Sequence, residues 1–530
     1  MGLYLNPGYA GFEEIRRDIY VDKTGLISFM NSLIGKPKPL VSFSRPRRFG
    51  KSYDANMICA YYDKSCDSRF LFEDLKISKD DSFEKHLNKY NVITFDVTGF
   101  IADSKDNDTD IVLNIKNTLF EELRGVFPGC IADEEKNLGK ALYAVVSNGN
   151  EKFVFVIDEW DALFREYKDD KQLQEDYILF LRSLFKNKDT TSRTIAAAYM
   201  TGILPIKKYG TESALTDFKE YSMTRPGRLA EYIGFTEDEV KRLCDEYQME
   251  FGDMQSWYDG YSFNRIEHVY SPNSVMNALQ EEEIANYWTQ TETFESLRKY
   301  IEINMDGLKD AILLMLGGQR VQIDVSTFQN DITSFRNKDD VLTLLIHLGY
   351  LAYDQKKKEV YIPNQEVTEA FQSSIKGGNW KNVEQAISNA ERLLDATLRR
   401  ESDSVAQALE AVHEECSSVL TYNDESSLAC AIYIAYYTAR NYYKVIRELP
   451  TGKGFADYAF VPGRDTDKPA MIIELKYDKN ADTAIRQIHE NRYAGDLKGY
   501  FGNLLLVGIN YDKDAKGTNA KRHSCVIEMV

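Results

Sequence analysis

PLVSFSRPRRFGKSYDANMICAYYD, residues 39–63, decides how the first part of this chain is read. Leu40–Ser44 is a short apolar run of strand length, residues 45–50 carry Pro and Gly, and a helical pattern follows. Strand, loop and helix in that order build a phosphate-binding loop, because backbone N–H groups at a helix start attract phosphate oxygens. Phe49-Gly50-Lys51-Ser52 stands at the turn. Gly50 lets the backbone approach the phosphates, Lys51 would reach the β and γ phosphates, and the Ser52 hydroxyl would ligate Mg²⁺. The general pattern is GxxxxGK[ST]. Here Arg45 occupies the first glycine position, and Tyr53-Asp54 follows Ser52 where apolar helix residues are expected.

Outward from this stretch, apolar runs recur at Val92–Val97, Phe153–Ile157 and Thr194–Met200, separated by longer helical patterns. Several are continuous rather than alternating, which predicts parallel strands buried on both faces and an α/β domain. The run at 153 ends in Asp158-Glu159. Asp158 would hold Mg²⁺ through water, and Glu159 could polarise the attacking water of ATP hydrolysis. The run at 194 ends at Thr201-Gly202, where Thr201 could contact the γ-phosphate as a sensor.

From about residue 231 the pattern turns helical. The stretch DDVLTLLIHLGYLAYDQKKKEVYIPNQEV predicts a helix ending at Gly349 and two short strands flanking a polar turn at 354–359, a winged-helix-like element. A packing hairpin with no nucleic-acid role fits the same pattern, since nothing basic lies on the helix before it. Lys376-Gly377-Gly378-Asn379 is the clearest linker signal. The expected domains are therefore 1–230, 231–375 and 376–530.

The length of 530 residues also calls for two or three domains. Seven cysteines at 59, 66, 130, 244, 416, 430 and 525 form neither CxxC nor a Cys/His cluster, so reduced thiols in a cytoplasmic protein are expected. The N-terminal residues show no signal pattern, and no run of about 18 apolar residues suggests a membrane span. A net charge of -18 argues against loose, charge-driven DNA coating. The last ninety residues are nearly neutral, with fourteen Lys/Arg against twelve Asp/Glu, so any nucleic acid must bind in a confined groove.

The strongest chemistry lies in that last part. A strand at Phe455–Val461 carries Asp457, and a second, Ala470–Ile473, runs into Glu474-Leu475-Lys476. Residues two apart on a strand share a face, so Glu474 and Lys476 project together while Leu475 enters the core. A helix opening after Asn480 places Gln487 back toward the strands, with Tyr493 beyond. Asp457 and Glu474 can grip Mg²⁺ or Mn²⁺ through hard oxygens, and the Lys476 ammonium can steady a nucleophile. This is equipment for hydrolysing a phosphodiester.

Both halves resemble known families. Tyr20-Val21-Asp22-Lys23-Thr24, Arg45-Pro46-Arg47-Arg48-Phe49-Gly50-Lys51-Ser52 and Ile157-Asp158-Glu159-Trp160-Asp161 closely resemble the bacterial AAA-ATPase-like family. That resemblance implies ATP as ligand and makes Arg45 a family variant of the loop. Tyr422-Asn423-Asp424-Glu425, Arg447-Glu448-Leu449-Pro450-Thr451-Gly452-Lys453-Gly454, Ala456-Asp457, Glu474-Leu475-Lys476 and Gln487-Ile488 resemble the PD-(D/E)XK nuclease superfamily. By that likeness Glu425 is the acid of the first helix, Asp457 and Glu474 are metal ligands, Lys476 is catalytic, and Gln487 positions water or phosphate. Ala456 stands where the superfamily usually has proline. The expectation is an ATP-binding, ATP-hydrolysing protein with a Mg²⁺-dependent nuclease domain, acting on DNA rather than RNA, and forming a homo-oligomer. The alternative is an ATP-switched module that binds nucleic acid or protein through an inactive nuclease-like domain.

Overall fold

The structure is a computed structural model. It describes residues 2–37, 39–186, 188–206, 208–209, 212–213, 215–288, 294–303, 305–375, 390, 392–416, 432, 435–436, 439, 442–451, 454–462, 467–491, 503–513, 515 and 522–530. These form two compact units, Met1–Thr291 with Gln322–Val367 and Glu292–Val321 with Thr368–Val530. Contacts thus place residues 231–291 and 322–367 in the same unit as the phosphate loop. The linker signal at 376–379 lies outside the described residues.

In the first unit, β1 (Leu40–Ser44) runs through the loop into α1 (Lys51–Tyr62). Then come β2 (Asn91–Asp96), β3 (Phe153–Asp158), α2 (Ala162–Glu166), β4 (Ile195–Gly202) and β5 (Lys219–Tyr221). The strands form one parallel sheet in the order β2-β3-β4-β1-β5. All four apolar runs of the sequence become strands, their bounds moving by at most two residues. Phe153, Phe155 and Ile157 join one buried cluster with Leu119, Leu142 and Leu181 of flanking helices. Val154 and Val156 point to the opposite face and are equally buried, and α1 packs against β3. Burial on both faces explains why β3 reads as an unbroken apolar run; each such side chain contributes about 1.5–3 kcal/mol. In a parallel sheet the carboxyl ends share one edge, which brings Ser44, Asp96, Asp158 and Gly202 together.

The rest of this unit is mainly helical. α3 (Glu237–Tyr247) opens with a capping box between Thr236 and Glu239. α4 (Pro272–Glu281) and α5 (Lys338–Leu348) follow. α5 is capped by Asn337 and stops at Gly349, whose φ of 87° suits glycine. The antiparallel pair β6 (Ala352–Asp354) and β7 (Glu359–Tyr361) completes the expected helix–hairpin order. The end of α5 is seated on the phosphate loop: a Cβ on Gly349 would lie 2.9 Å from Pro46 and 2.8 Å from Trp288. Phe49 meets Tyr261 and Trp288 edge-on, and the Tyr261 hydroxyl donates to the Gly349 carbonyl.

The second unit contains α6 (Ser402–Cys416), β8 (Tyr443–Thr451), β9 (Gly454–Pro462), β10 (Ala470–Tyr477), α7 (Ala481–Asn491), β11 (Leu504–Tyr511) and β12 (His523–Met529). The sheet is mixed, in the order β8-β9-β10-β11-β12, with only β10 and β11 parallel. α7 makes that parallel crossover and packs on β10 and β11 through Ile485 and Ile488. Gly508 permits the approach, since a Cβ there would meet the Ala481 carbonyl at 2.5 Å.

Candidate active sites

The phosphate loop turns into α1 through Gly50, whose left-handed φ of 74° replaces a capping side chain. Pro46 and Phe49 face inward, while Arg47 and Arg48 are exposed. Lys51 is buried; its ammonium donates to the Pro46 carbonyl at 3.0 Å and sits 3.3 Å from Glu159 Oε1. Burial pulls its pKa below the ordinary lysine range, against the opposing pull of Glu159 and Asp158. Ser52 Oγ donates to Asp158 Oδ2 at 2.6 Å. Burial raises the Asp158 carboxyl, and the Ser52 hydrogen bond and Lys51 oppose it.

The two departures in the loop sequence turn out to be one feature. Arg45, fully buried where the first glycine would stand, forms an ion pair with Asp54 of α1 at 2.7 Å. Its guanidinium also donates to the Tyr232 carbonyl and the Tyr199 hydroxyl, and lies over the Phe43 ring. A residue too large and too charged for a tight loop is thereby neutralised from inside the helix that follows.

At the end of β3, the residues of Asp158-Glu159-Trp160-Asp161 are all held in place, two of them by Arg165. Glu159 takes a left-handed φ of 47° and pairs with Lys51 through Oε1 and with Arg165 of α2 through Oε2. Trp160 is buried, and its backbone N–H donates to the Thr201 carbonyl. Asp161 is fully buried and accepts from the backbone N–H of Ile203 (3.1 Å) and Leu204 (2.8 Å), and from Arg165 Nε (3.1 Å). A cavity of about 760 Å³ opens before the loop, lined among others by Gly50, Lys51, Ser52, Glu159, Arg165 and Phe235.

In the second unit, Asp457 of β9 and Glu474 of β10 stand on adjacent antiparallel strands. Asp457 Oδ2 accepts from the Leu475 N–H at 2.7 Å, which fixes that carboxylate against β10. Glu474 is 2% exposed, and its Oε1 accepts from Lys476 Nζ at 2.8 Å and from Gln487 Nε2 of α7. Its Oε2 is buried without a hydrogen-bond partner. Burial, reinforced by the charge of Asp457, pushes the Glu474 carboxyl up to about 7 against the pull of Lys476. Leu475 is fully buried, as strand alternation requires. An orphaned carboxylate oxygen beside a second carboxylate fits a hard divalent cation. Among the described residues no three His, Cys, Asp or Glu side chains converge on one point, and Asp457 and Glu474 are the pair of carboxylates that could hold such a cation.

Residues 7–211 match the family model described as predicted AAA-ATPase, and residues 423–520 match that of the PD-(D/E)XK nuclease superfamily. The chain joins an AAA-ATPase-like segment to a PD-(D/E)XK nuclease-superfamily segment. Similar solved structures include a Walker-type ATPase of Pyrococcus abyssi, at 12% identity and TM-score 0.34, covering 66% of this chain and 96% of that one. The Aeropyrum pernix ORC2 protein matches at 10% identity and TM-score 0.30, over 68% and 95% of the two chains. C. elegans PCH-2 matches at 12% identity and TM-score 0.24, over 64% and 71%. Scores this low say nothing about shared activity. No curated protein matches the chain.

Within the AAA-ATPase-like segment the structure gathers Gly50, Lys51, Ser52, Asp158 and Glu159 at one end of the sheet. Thr201 departs from the sensor expectation. β4 runs on to Gly202, and the Thr201 hydroxyl is buried, donating to the Phe43 carbonyl at 3.0 Å. In the nuclease-like segment Asp457, Glu474, Lys476 and Gln487 come together, whereas Glu425 and Tyr493 lie outside the described residues. Sequence reasoning missed Arg165, although Asp161 and Arg165 at helical i,i+4 spacing were a usable signal. It also gave no role to Lys23 of the Tyr-Val-Asp-Lys-Thr stretch, which pairs with the capping-box Glu239 at 2.6 Å and donates to the Glu231 carbonyl. Among the described residues no helix is long and apolar enough to cross a membrane.

Proposed function

We propose that the protein is an ATP-regulated, Mg²⁺-dependent nuclease acting on DNA. The observation that carries this reading is Glu474, a buried carboxylate with one oxygen shared by Lys476 and Gln487 and the other unpaired beside Asp457. Asp457 and Glu474 would hold a divalent cation, which would supply Lewis acidity to the scissile phosphate and lower the pKa of a water bound to it. Lys476 would offer its ammonium to the nucleophile or to charge developing on phosphorus. Gln487, held on the rigid face of α7, orients water or a phosphate oxygen.

At the other site Lys51 would meet the terminal phosphates, Ser52 and Asp158 would hold Mg²⁺, and Glu159 would polarise the attacking water. The Ser52–Asp158 contact supports this, since it already brings two hard oxygens together beside Lys51. ATP binding must break the Lys51–Glu159 pair, which makes the loop a switch whose two states differ in charge pairing. The test incubates purified protein with labelled single- and double-stranded DNA and RNA, with and without Mg²⁺ and ATP. Cleavage of DNA that needs Mg²⁺ and changes with ATP is expected. Nucleic-acid binding without cleavage in every metal and nucleotide condition would replace this reading with a binding module.

A further inference from the structure

We infer that Arg165 positions Glu159 for ATP hydrolysis, holding one carboxylate oxygen while the other is released to water; this inference rests on the ATPase reading above. Glu159 is shared between two cations, Lys51 on Oε1 and Arg165 on Oε2. The two differ in what holds them. Lys51 has a flexible stem, and its other partner is the Pro46 carbonyl, within the very loop that receives the phosphates. Arg165 is braced from behind, its Nε bonded to Asp161, which is itself clamped by the Ile203 and Leu204 N–H groups.

A terminal phosphate carries far more charge than a carboxylate and takes Lys51 from Glu159. Oε1 is the atom so vacated. Without a second tether, the Glu159 side chain would turn freely about its rotatable bonds at the mouth of the cavity. The Arg165 guanidinium keeps it in place, because its planar fork serves Asp161 and Glu159 from a single fixed position. Arg165 lines the same cavity as Lys51 and Ser52, so the tether lies where hydrolysis would take place. Asp161 retains two backbone donors without Arg165, so removing the guanidinium leaves the turn after β4 bonded.

The test compares full-length wild type, Arg165→Ala, Arg165→Lys, Glu159→Gln and the Arg165→Ala/Glu159→Gln double variant. Equilibrium titration gives the Mg-ATP affinity, and single-turnover assays give the hydrolysis rate. Arg165→Ala is expected to slow hydrolysis about 10- to 100-fold, the typical cost of a misplaced catalytic group, while ATP affinity stays within about threefold. Arg165→Lys should recover part of the rate, since an ammonium engages the two carboxylates less rigidly. The double variant should be no slower than Glu159→Gln alone, because a group acting through Glu159 has nothing left to position. Unchanged hydrolysis in Arg165→Ala, or the same slowing in the Glu159→Gln background, overturns the inference. If the alanine variant does not fold, Arg165→Gln takes its place in both backgrounds, and a wild-type rate in that variant likewise overturns the inference. A wild-type protein that neither binds nor hydrolyses ATP removes the ATPase reading itself; a wild type that turns over ATP with no effect at Arg165 removes only this inference.

Discussion

The two sites use the same kinds of side chain, a lysine among acids, yet differ in how complete they are without a ligand. Around the phosphate loop the buried cations are each set against a carboxylate: Lys51 with Glu159, Arg165 with Glu159 and Asp161, and Arg45 with Asp54, although burial still outweighs that pairing at Lys51. In the nuclease-like site two donors crowd onto one oxygen of Glu474 and leave the other buried and unpaired. In the first arrangement a ligand must break existing pairs to enter. The second carries an electrostatic cost until a cation arrives. An ATP site of the first kind suits a switch, and a metal site of the second kind suits a centre built around its cation.

The largest effect expected is at the closed site. Glu159→Gln keeps the size and hydrogen-bonding capacity of the side chain but cannot act as a base, so hydrolysis should slow about 10²–10⁴-fold. ATP affinity should hold or rise, because Lys51 no longer has to leave a charged carboxylate. A variant that binds ATP more weakly than wild type would break the idea that this site is closed by its own ion pairs.

A second prediction concerns the Arg45–Asp54 pair. Asp54→Ala leaves Arg45 charged and buried, which typically costs about 3–5 kcal/mol. Removing both charges, as in Arg45→Gly with Asp54→Ala, should recover most of that loss and restore a loop closer to the general pattern. Chemical denaturation of the three proteins measures this. Single and double variants of equal stability would show that the pair does not stabilise the loop.

In the open site, Lys476→Ala should reduce cleavage about 10²–10³-fold, the usual loss when one charge-stabilising donor is removed. Raising Mg²⁺ or adding Mn²⁺ should not rescue it, whereas Asp457→Ala, which lacks a metal ligand, should be partly rescued. A metal titration on labelled substrate separates the two. Rescue of both variants to the same extent would mean that Lys476 acts only through the metal.

How much of this was legible beforehand depended on whether a residue acts locally. Continuous apolar runs announced the parallel sheet because burial on both faces leaves no polar alternation. Glu474, Leu475 and Lys476 were legible because strand geometry alone decides which of them share a face. Arg45 and Asp54 were each visible as departures, but nothing in the chain said that they neutralise each other, since that depends on how the loop folds back onto α1. Thr201 misled for a related reason. A polar residue near a strand end looks available, and only the register with β1 shows its hydroxyl committed to Phe43. Asp96 was given no role, because only the parallel register of β2 with β3 sets it opposite Asp158, where its side chain also accepts from the Thr98 N–H.

The smallest effect expected, and the one that bears most directly on the contrast between the sites, is the pH dependence of stability at Glu474. Its carboxyl is raised from an ordinary 4.5 to about 7 in the folded protein. A raised carboxyl holds its proton in the folded state after the unfolded chain has released it, so increasing pH favours unfolding across that window. The penalty is absent below about pH 4.5 and complete above about pH 7. From the size of the shift it amounts to roughly 3 kcal/mol. Glu474→Gln cannot ionise and should escape it. In the presence of a chelator the variant should match wild type near pH 4.5 and melt several degrees higher at pH 8, even though it has lost a metal ligand. Mg²⁺ should flatten the wild-type curve and leave the variant unchanged, because a bound cation compensates the buried carboxylate. Parallel melting curves for the two proteins from pH 4.5 to 8 would mean that Glu474 has found another partner in solution, and the distinction between a closed and an open site would fail at the residue that defines it.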